Sequence, residues 1–394
     1  MQRVFRLPCL ALNAGLLCQL SKRHIAHSYR IQRTRTCTRT CTRSNTSSSS
    51  ASHTAPIFPY ERVHEPVLLS EIIEYLAPQK DKVYLDGTFG EGGYTKRILD
   101  EAACHVVAID QDPCAVDKAR RLAEVYPGRL SALWHEFGKI GSLERSFDGI
   151  VLDIGLSSSQ LASDRGFSFQ RDCPLDMRMS STAAHGSLRR LIPADVVVNQ
   201  FSGDKLNSIF KQFGQERFSR LIVKEIEKRR AKAPIMTTHQ LVDAVVAAVP
   251  KRYAREATLH PATRVFQSLR IYVNDELGQL QSALASATRM LNPGGRLVVV
   301  SFHSLEDVIV KKHFRALAEE QPAKLLFEED EYEDAAVTDT ETETETDTEI
   351  YSDAGTVPCV FRLVTKRVVR PSAEEIERNP RSRSAKLRTI ERVK

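Results

Sequence analysis

Apolar positions in the first half of the chain fall into short continuous runs, each followed by a stretch with helical spacing. Lys82-Val-Tyr-Leu-Asp86 reads as a short buried strand, followed by a glycine turn and a helix from about Tyr94 to Ala102. His105-Val-Val-Ala-Ile-Asp110, Leu130 to His135 and Gly149-Ile-Val-Leu-Asp153 are three further strands, and Pro113 stands where it can open a helix at its first position. Runs of this length bounded by polar residues are strands buried on both faces, and their alternation with helices implies a parallel, doubly wound sheet.

The alternation breaks after about Gly166. From there to Ala262 the spacing is helical, with helices predicted near Gly203–Phe213, Gln215–Lys232 and Thr238–Val249. A strand returns only at Gly295-Arg-Leu-Val-Val-Val-Ser-Phe302, after a helix over Asp275–Leu291, so a helical domain is inserted between the fourth and fifth strands. Val360–Val369 supplies a late strand, expected antiparallel at the sheet edge. The predicted organisation is a targeting segment over 1–55, a first part of the α/β domain over 60–165, the helical insert over 166–262 and a second part of the α/β domain over 263–394.

Composition changes this picture at two places. Residues 1–60 carry nine Lys or Arg and no Asp or Glu, and Thr34 to Ser52 is low in complexity. Such a segment has no core-forming period and reads as a mitochondrial import signal. A secretory reading of Leu7 to Cys18 is weakened by Pro8 and Asn13, which interrupt the apolar run. Thirteen acids and no Lys or Arg lie between Glu328 and Asp353, a self-repelling stretch (328–353) expected to be a solvated, disordered loop. With both segments set aside the remainder is basic, which suits a polyanionic partner. The eight cysteines form no CxxC pair, so neither a zinc site nor a disulfide framework is expected, nor any other metal. No apolar run approaches the roughly 18–20 residues that span a bilayer.

Candidate chemistry gathers at the strand ends. Asp86-Gly-Thr-Phe-Gly-Glu-Gly-Gly-Tyr94 lies between a strand and a helix, where glycines let backbone N–H groups approach a ligand. It fails the G-x-G-x-x-G spacing, since Thr95 stands where the third glycine belongs. Asp110 ends the second strand, where an acid can accept both hydroxyls of a ribose, and Asp153 ends the fourth, beside the crevice such sheets use for ligands. Together these favour a nucleoside ligand over a structural turn.

Longer strings carry a family resemblance. Asp86-Gly-Thr-Phe-Gly, Arg165-Gly-Phe-Ser-Phe, Pro174-Leu-Asp-Met-Arg-Met179, His260-Pro-Ala-Thr-Arg264, Phe266-Gln to Asn274, Ser301-Phe-His-Ser-Leu-Glu-Asp307 and Asn379-Pro-Arg-Ser-Arg-Ser384 occur in one order. Over about Val63 to Arg392 the chain resembles the RsmH (MraW) family of ribosomal RNA cytosine-N4 methyltransferases, and with its import segment it looks like a mitochondrial member. The resemblance implies a class I S-adenosylmethionine methyltransferase, α/β with a Rossmann-like doubly wound sheet. It implies S-adenosyl-L-methionine as cofactor and, as partner, the mitochondrial small-subunit rRNA or the assembling small subunit in the matrix.

By position, the resemblance places cofactor contacts at Gly92, Gly93, Tyr94, Asp110, Phe137, Asp153 and Gln160. Asp153 and Gln160 can reach the adenine edge or the amino-acid end. Tyr94 stands in place of the family's His, Cys173 of its Gly, Ser180 of its Asp, Gln215 of its Glu and Val308 of its Arg. The exocyclic amine of cytosine is a poor nucleophile, so an acceptor for its N–H bonds is expected: Asp153 or the adjacent backbone, with His303 as a second candidate or a helix cap. Carbon-5 methylation needs a cysteine nucleophile, and neither Asp153–Gln160 nor Ser301–Asp307 contains one. Arg171, Arg178, Arg264, Arg381 and Arg383 are the expected RNA contacts, with Lys386 and Arg388 crowding the same C-terminal stretch. The competing readings are an RNA-binding assembly factor with a non-catalytic pocket, and a methyltransferase acting on a small molecule or protein.

Overall fold

The computed structural model describes residues 66–180, 191–256, 259–319 and 360–394. The N-terminal segment expected to direct import, the acidic stretch and residues 181–190 lie outside the described residues. The described residues belong to one compact unit.

Seven strands make one sheet: β1 (Val83–Asp86), β2 (His105–Asp110), β3 (Leu130–Trp134), β4 (Phe147–Asp153), β5 (Leu291–Ser301), β6 (Phe361–Leu363) and β7 (Lys386–Arg392). Their order is β3-β2-β1-β4-β5-β7-β6. Strands β1 to β5 pair in parallel, β7 runs antiparallel to β5, and β6 antiparallel to β7. The sheet reverses its winding between β1 and β4. The crevice at the carboxyl ends of those two strands is where this topology takes ligands.

Helices cover both faces because strand side chains alternate. On one face α1 (Leu69–Leu76), α2 (Gly93–Glu101) and α3 (Pro113–Val125) bury Ile72, Ile98 and Ala119 against Tyr84, Val106, Val151 and Val298. On the other, α11 (Glu276–Met290) and α12 (Ser304–Ala318) bury Leu284 and Phe314 against Leu85, Val107, Leu152 and Val299. Pro113 does open α3, with Asp112 as its N-cap accepting from the Cys114 amide.

Between β4 and β5 lie α4 (Ser158–Ala162), α5 (Ala194–Gln200), α6 (Gly203–Gly214), α7 (Ser219–Arg230), α8 (Thr238–Ala248), α9 (Lys251–Glu256) and α10 (Ala262–Asn274). Most of these helices share their own apolar cluster, in which Val197, Phe210, Ile222, Ile226, Leu241, Val265 and Leu269 meet. The cluster runs past residue 262, since Val265, Phe266, Leu269 and Val273 of α10 belong to it. α6 and α10 pack so closely that a Cβ on Gly214 would stand 2.6 Å from the Arg264 carbonyl oxygen. The helix expected over Gln215–Lys232 starts instead at Ser219: Gln215 takes a left-handed φ of 48°, and the Glu216 carboxylate accepts from the Phe218 amide.

The C-terminal stretch departs from expectation. The late strand is short, and the strand beside β5 is β7, which periodicity did not single out. Leu387 and Ile390 of β7 are buried, while Lys386 and Arg388 pair with Asp307 of α12 at 3.4 and 2.7 Å. These two cations therefore fasten strand to helix rather than face outward. Among the described residues no helix is long and apolar enough to cross a membrane.

Candidate active site

Three aspartates end adjacent parallel strands: Asp86 on β1, Asp110 on β2 and Asp153 on β4. A cleft opens beside them, lined among others by Tyr94, Asp110, Phe137, Asp153, Gln160 and Arg381. Gly93 lines it as well, and a Cβ there would stand 2.1 Å from Pro66 Cγ. Gly92 sits just behind, as the N-cap of α2 with a φ of 79° that an L side chain adopts at a cost. A Cβ there would also strike the Phe89 ring at 2.4 Å, so Gly92 shapes the turn rather than the wall.

Asp86 is fully buried and organises the turn from beneath. Its carboxylate accepts from the Thr95 hydroxyl at 2.6 Å and the Thr88 amide at 3.2 Å. Burial raises its pKa to about 6, against the pull of those hydrogen bonds. Asp110 accepts from the Gly90 amide and the Asp112 amide, both at 2.8 Å, and burial likewise lifts it to about 6. A carboxylate has about four acceptor positions, so Asp110 keeps capacity for hydroxyl donors in the cleft.

Asp153 is held from two sides. Its amide donates to the Thr88 hydroxyl at 2.7 Å, and its Oδ2 lies 3.2 Å from the Tyr94 hydroxyl. Tyr94 has one phenolic proton, shared between Oδ2 and the Val67 carbonyl at 2.7 Å. Oδ1 of Asp153 is buried without a hydrogen-bond partner. Burial first, then the charges of Asp86 and Glu306, push the Asp153 carboxyl up to about 7, while the Tyr94 hydroxyl pulls it down. An orphaned carboxylate oxygen at a ligand cleft is an acceptor waiting for a donor. Tyr94 itself is held well above the usual tyrosine range, by burial and then by Asp153.

The other expected residues are placed unequally. Phe137 presents an apolar wall at the start of a 3-10 turn over Phe137–Leu143. Gln160 closes a capping box with Ser157 at the start of α4, and its amide also reaches Asp112 at 3.5 Å. His303 is not part of the cleft lining. It is the N-cap of α12, where Nδ1 accepts from the Glu306 amide, and Nε2 lies 2.9 Å from Glu306 Oε1. The cap outcompetes the acceptor role, because the helix start needs a partner at that atom.

Met179 and Glu276 line the cleft without having been expected as site residues. Met179 reaches it because Asn274 ties the loop to the end of α10, receiving from the Met179 amide at 2.8 Å and donating to the Met177 carbonyl at 2.8 Å. Glu276 lines it while accepting two hydrogen bonds from Arg270, at 2.8 and 2.9 Å. Glu276, His303 and Glu306 bring ligand-type atoms within 4.8 Å of one another, and Arg270 already supplies positive charge to that group.

The expected RNA contacts separate into committed and uncommitted cations. Arg178 is bound to Asp176 through Nε and Nη2, at 2.7 and 2.8 Å. Arg171 pairs with Asp164 at 3.5 Å, both side chains being exposed. Arg264 is exposed and donates to the Gln215 carbonyl, and Arg381 donates to the Ser158 hydroxyl across the rim of the cleft. Arg383 is exposed. Cys173 and Val308, two of the substituted family positions, do not line the cleft.

Fold and cleft together describe an α/β protein with an open cleft at the ends of β1, β2 and β4. The profile of the MraW methylase family matches residues 61–393, and the chain belongs to that family. It is similar to the Ribosomal RNA small subunit methyltransferase H of Thermomicrobium roseum, 45% identical over 349 residues, covering 85% of this chain and 95% of the relative. The protein of the same name from Ehrlichia chaffeensis is 41% identical over 338 residues, covering 84% of this chain and 100% of the relative. Among solved structures, a putative methyltransferase from Streptococcus mutans in complex with SAH aligns with a TM-score of 0.34 and 10% identity, covering 82% of this chain and 97% of that one.

Proposed function

We propose that this chain transfers a methyl group from S-adenosylmethionine to the N4 atom of a cytidine in small-subunit ribosomal RNA, and that it does so in mitochondria. The observation that carries the reaction is the unpartnered, buried Oδ1 of Asp153 at the cleft. Support for the RNA comes from the relatives' names and from Arg381, an exposed arginine at the rim of the cleft. Support for the compartment comes from the acid-free, arginine-rich first 60 residues.

The residues fit the cofactor. A Cβ would close the cradle at Gly93, Asp110 keeps free acceptor positions for ribose hydroxyls, and Phe137 offers an apolar face to a base. S-adenosylmethionine supplies an electrophilic methyl group on a sulfonium. Asp153 accepts an N–H of the exocyclic amine through Oδ1, which localises the nitrogen lone pair and takes up the proton released as the N–C bond forms. A carboxyl near 7 suits that role, because it changes charge at the working pH. None of the three cysteines among the described residues lines the cleft, which argues against a covalent carbon-5 route.

The test is to incubate the full chain with methyl-labelled cofactor and small-subunit ribosomal RNA, and to identify labelled nucleosides by mass spectrometry. N4-methylcytidine is expected. Label on carbon 5, or none while RNA and cofactor both bind, would overturn the reaction. For the compartment, residues 1–60 fused to a fluorescent protein are expected in the mitochondrial matrix, and a cytosolic or secreted fusion would overturn it.

A further inference from the structure

Besides the arginines of the recognisable strings, a cluster around Arg217 stands out in the fold. Where α6 gives way to α7, Arg217 lies over the Tyr253 ring, its guanidinium 4.5 Å from the ring centroid, and donates to the Tyr253 hydroxyl. It also lies over Phe218, at 5.4 Å. Phe218 meets Tyr253 edge to face, with centroids 4.9 Å apart and planes at 75°. Tyr253 is nevertheless 39% exposed, unusual for a ring held by two neighbours. A guanidinium held over an exposed aromatic ring places positive charge beside a π face, and unstacked bases stack on such surfaces.

The surroundings point to the same ligand. Arg217, Arg220, Lys224, Lys251 and Arg264 are exposed and make no ion pair among the described residues. The basic residues further along α7 differ: Lys228 and Arg229 pair with Glu225, and Arg230 with Glu227. The cluster is also joined to the cleft. Gln215 receives a hydrogen bond from Arg264 through its carbonyl and one from the Ser304 hydroxyl through its side chain, at 3.1 and 3.5 Å. Ser304 begins α12 two residues after Phe302, which lines the cleft.

We infer that Arg217, Tyr253 and Phe218 form a stacking platform for a single-stranded RNA base flanking the target nucleotide, with Arg220, Lys224 and Lys251 holding its phosphates. This rests on the reading that RNA is the substrate. It adds which residues hold the strand, and how. A duplex hides its base faces, so the platform gives the protein a preference for an unpaired segment next to the cleft.

Fluorescence anisotropy with a labelled single-stranded oligoribonucleotide and the matching duplex tests it on the full chain. Tyr253→Ala is expected to weaken single-strand binding on the order of 10-fold and leave duplex binding unchanged, while Tyr253→Phe stays close to wild type. Arg217→Lys keeps the charge but loses the plane, and is expected to weaken single-strand binding as well. The double variant Arg220→Gln, Lys224→Gln is expected to flatten the slope of log affinity against log salt by about 1.4, from about 0.7 for each lost phosphate contact. Unchanged single-strand binding in Tyr253→Ala, or equal losses on single strand and duplex, would overturn the platform. The test does not depend on turnover. Single-strand selectivity without methylcytidine in the mass-spectrometric assay leaves the platform standing and refutes the reaction, and methylation with a wild-type KM for RNA in Tyr253→Ala does the reverse.

Discussion

The cleft at the strand ends and the basic face around Arg217 handle charge in opposite ways. In the cleft, Asp86 is fully buried and Asp110 and Asp153 are partly buried, and desolvation lifts all three carboxyls to about 6 or 7. Asp86 and Asp110 accept from fixed amides and a hydroxyl of the turn, and the Asp153 amide donates to the Thr88 hydroxyl, so the site is organised before any ligand arrives. On the basic face, five cations stay in solvent without ion pairs among the described residues; an aromatic ring holds Arg217 and the Gln215 carbonyl holds Arg264. Desolvated charge gives strong, directional binding of a small ligand, whereas solvated charge gives long-range, salt-sensitive attraction to a polyanion. The two regions divide recognition along that line.

The largest effect that would break this contrast is at Asp153. Asp153→Asn is expected to lower turnover by about 1,000-fold while cofactor affinity, measured by titration calorimetry, changes little, since the amide has the same shape but cannot take up a proton. If turnover survives, the acceptor is elsewhere. Asp110→Ala should do the reverse, weakening cofactor binding by about 100-fold through lost charge-assisted hydrogen bonds.

The pH dependence sharpens the same point. The raised Asp153 carboxyl must be ionised to accept the amine, so turnover at saturating substrates should rise with pH through about 7 and fall tenfold per unit below it. The Tyr94 hydroxyl lowers that pKa, so Tyr94→Phe is expected to move the midpoint to higher pH without abolishing turnover. A midpoint moved downward would contradict the arrangement. Gly92→Ala places a Cβ at positive φ against Phe89 and is expected to cost about 1–2 kcal/mol or more of stability, read from denaturant unfolding. The smallest effect belongs to Arg178→Gln: its charge is already matched by Asp176, so RNA affinity should stay within about twofold.

Much of the cleft was legible in the sequence because strand ends and glycine turns leave local marks. Asp86, Asp110 and Asp153 each close a continuous apolar run, and the four parallel strands read there are present. What local pattern could not show is partnership across the chain. β7 was hidden because Lys386 and Arg388 look like a basic tail until Asp307, some 80 positions earlier, is placed beside them. His303 looked available until Glu306, three residues on, engaged it in a cap. Arg217 and Tyr253 were passed over for the converse reason. They are 36 residues apart, and only the packing of α9 beside the start of α7 makes them one feature.

The division of labour is tested most directly by titrating one preparation with S-adenosylmethionine and with a single-stranded oligoribonucleotide across a series of salt concentrations. RNA affinity should fall steeply and linearly on a log–log plot, while cofactor affinity stays nearly flat, because the charges that hold it are buried. Parallel slopes for the two ligands would contradict the account.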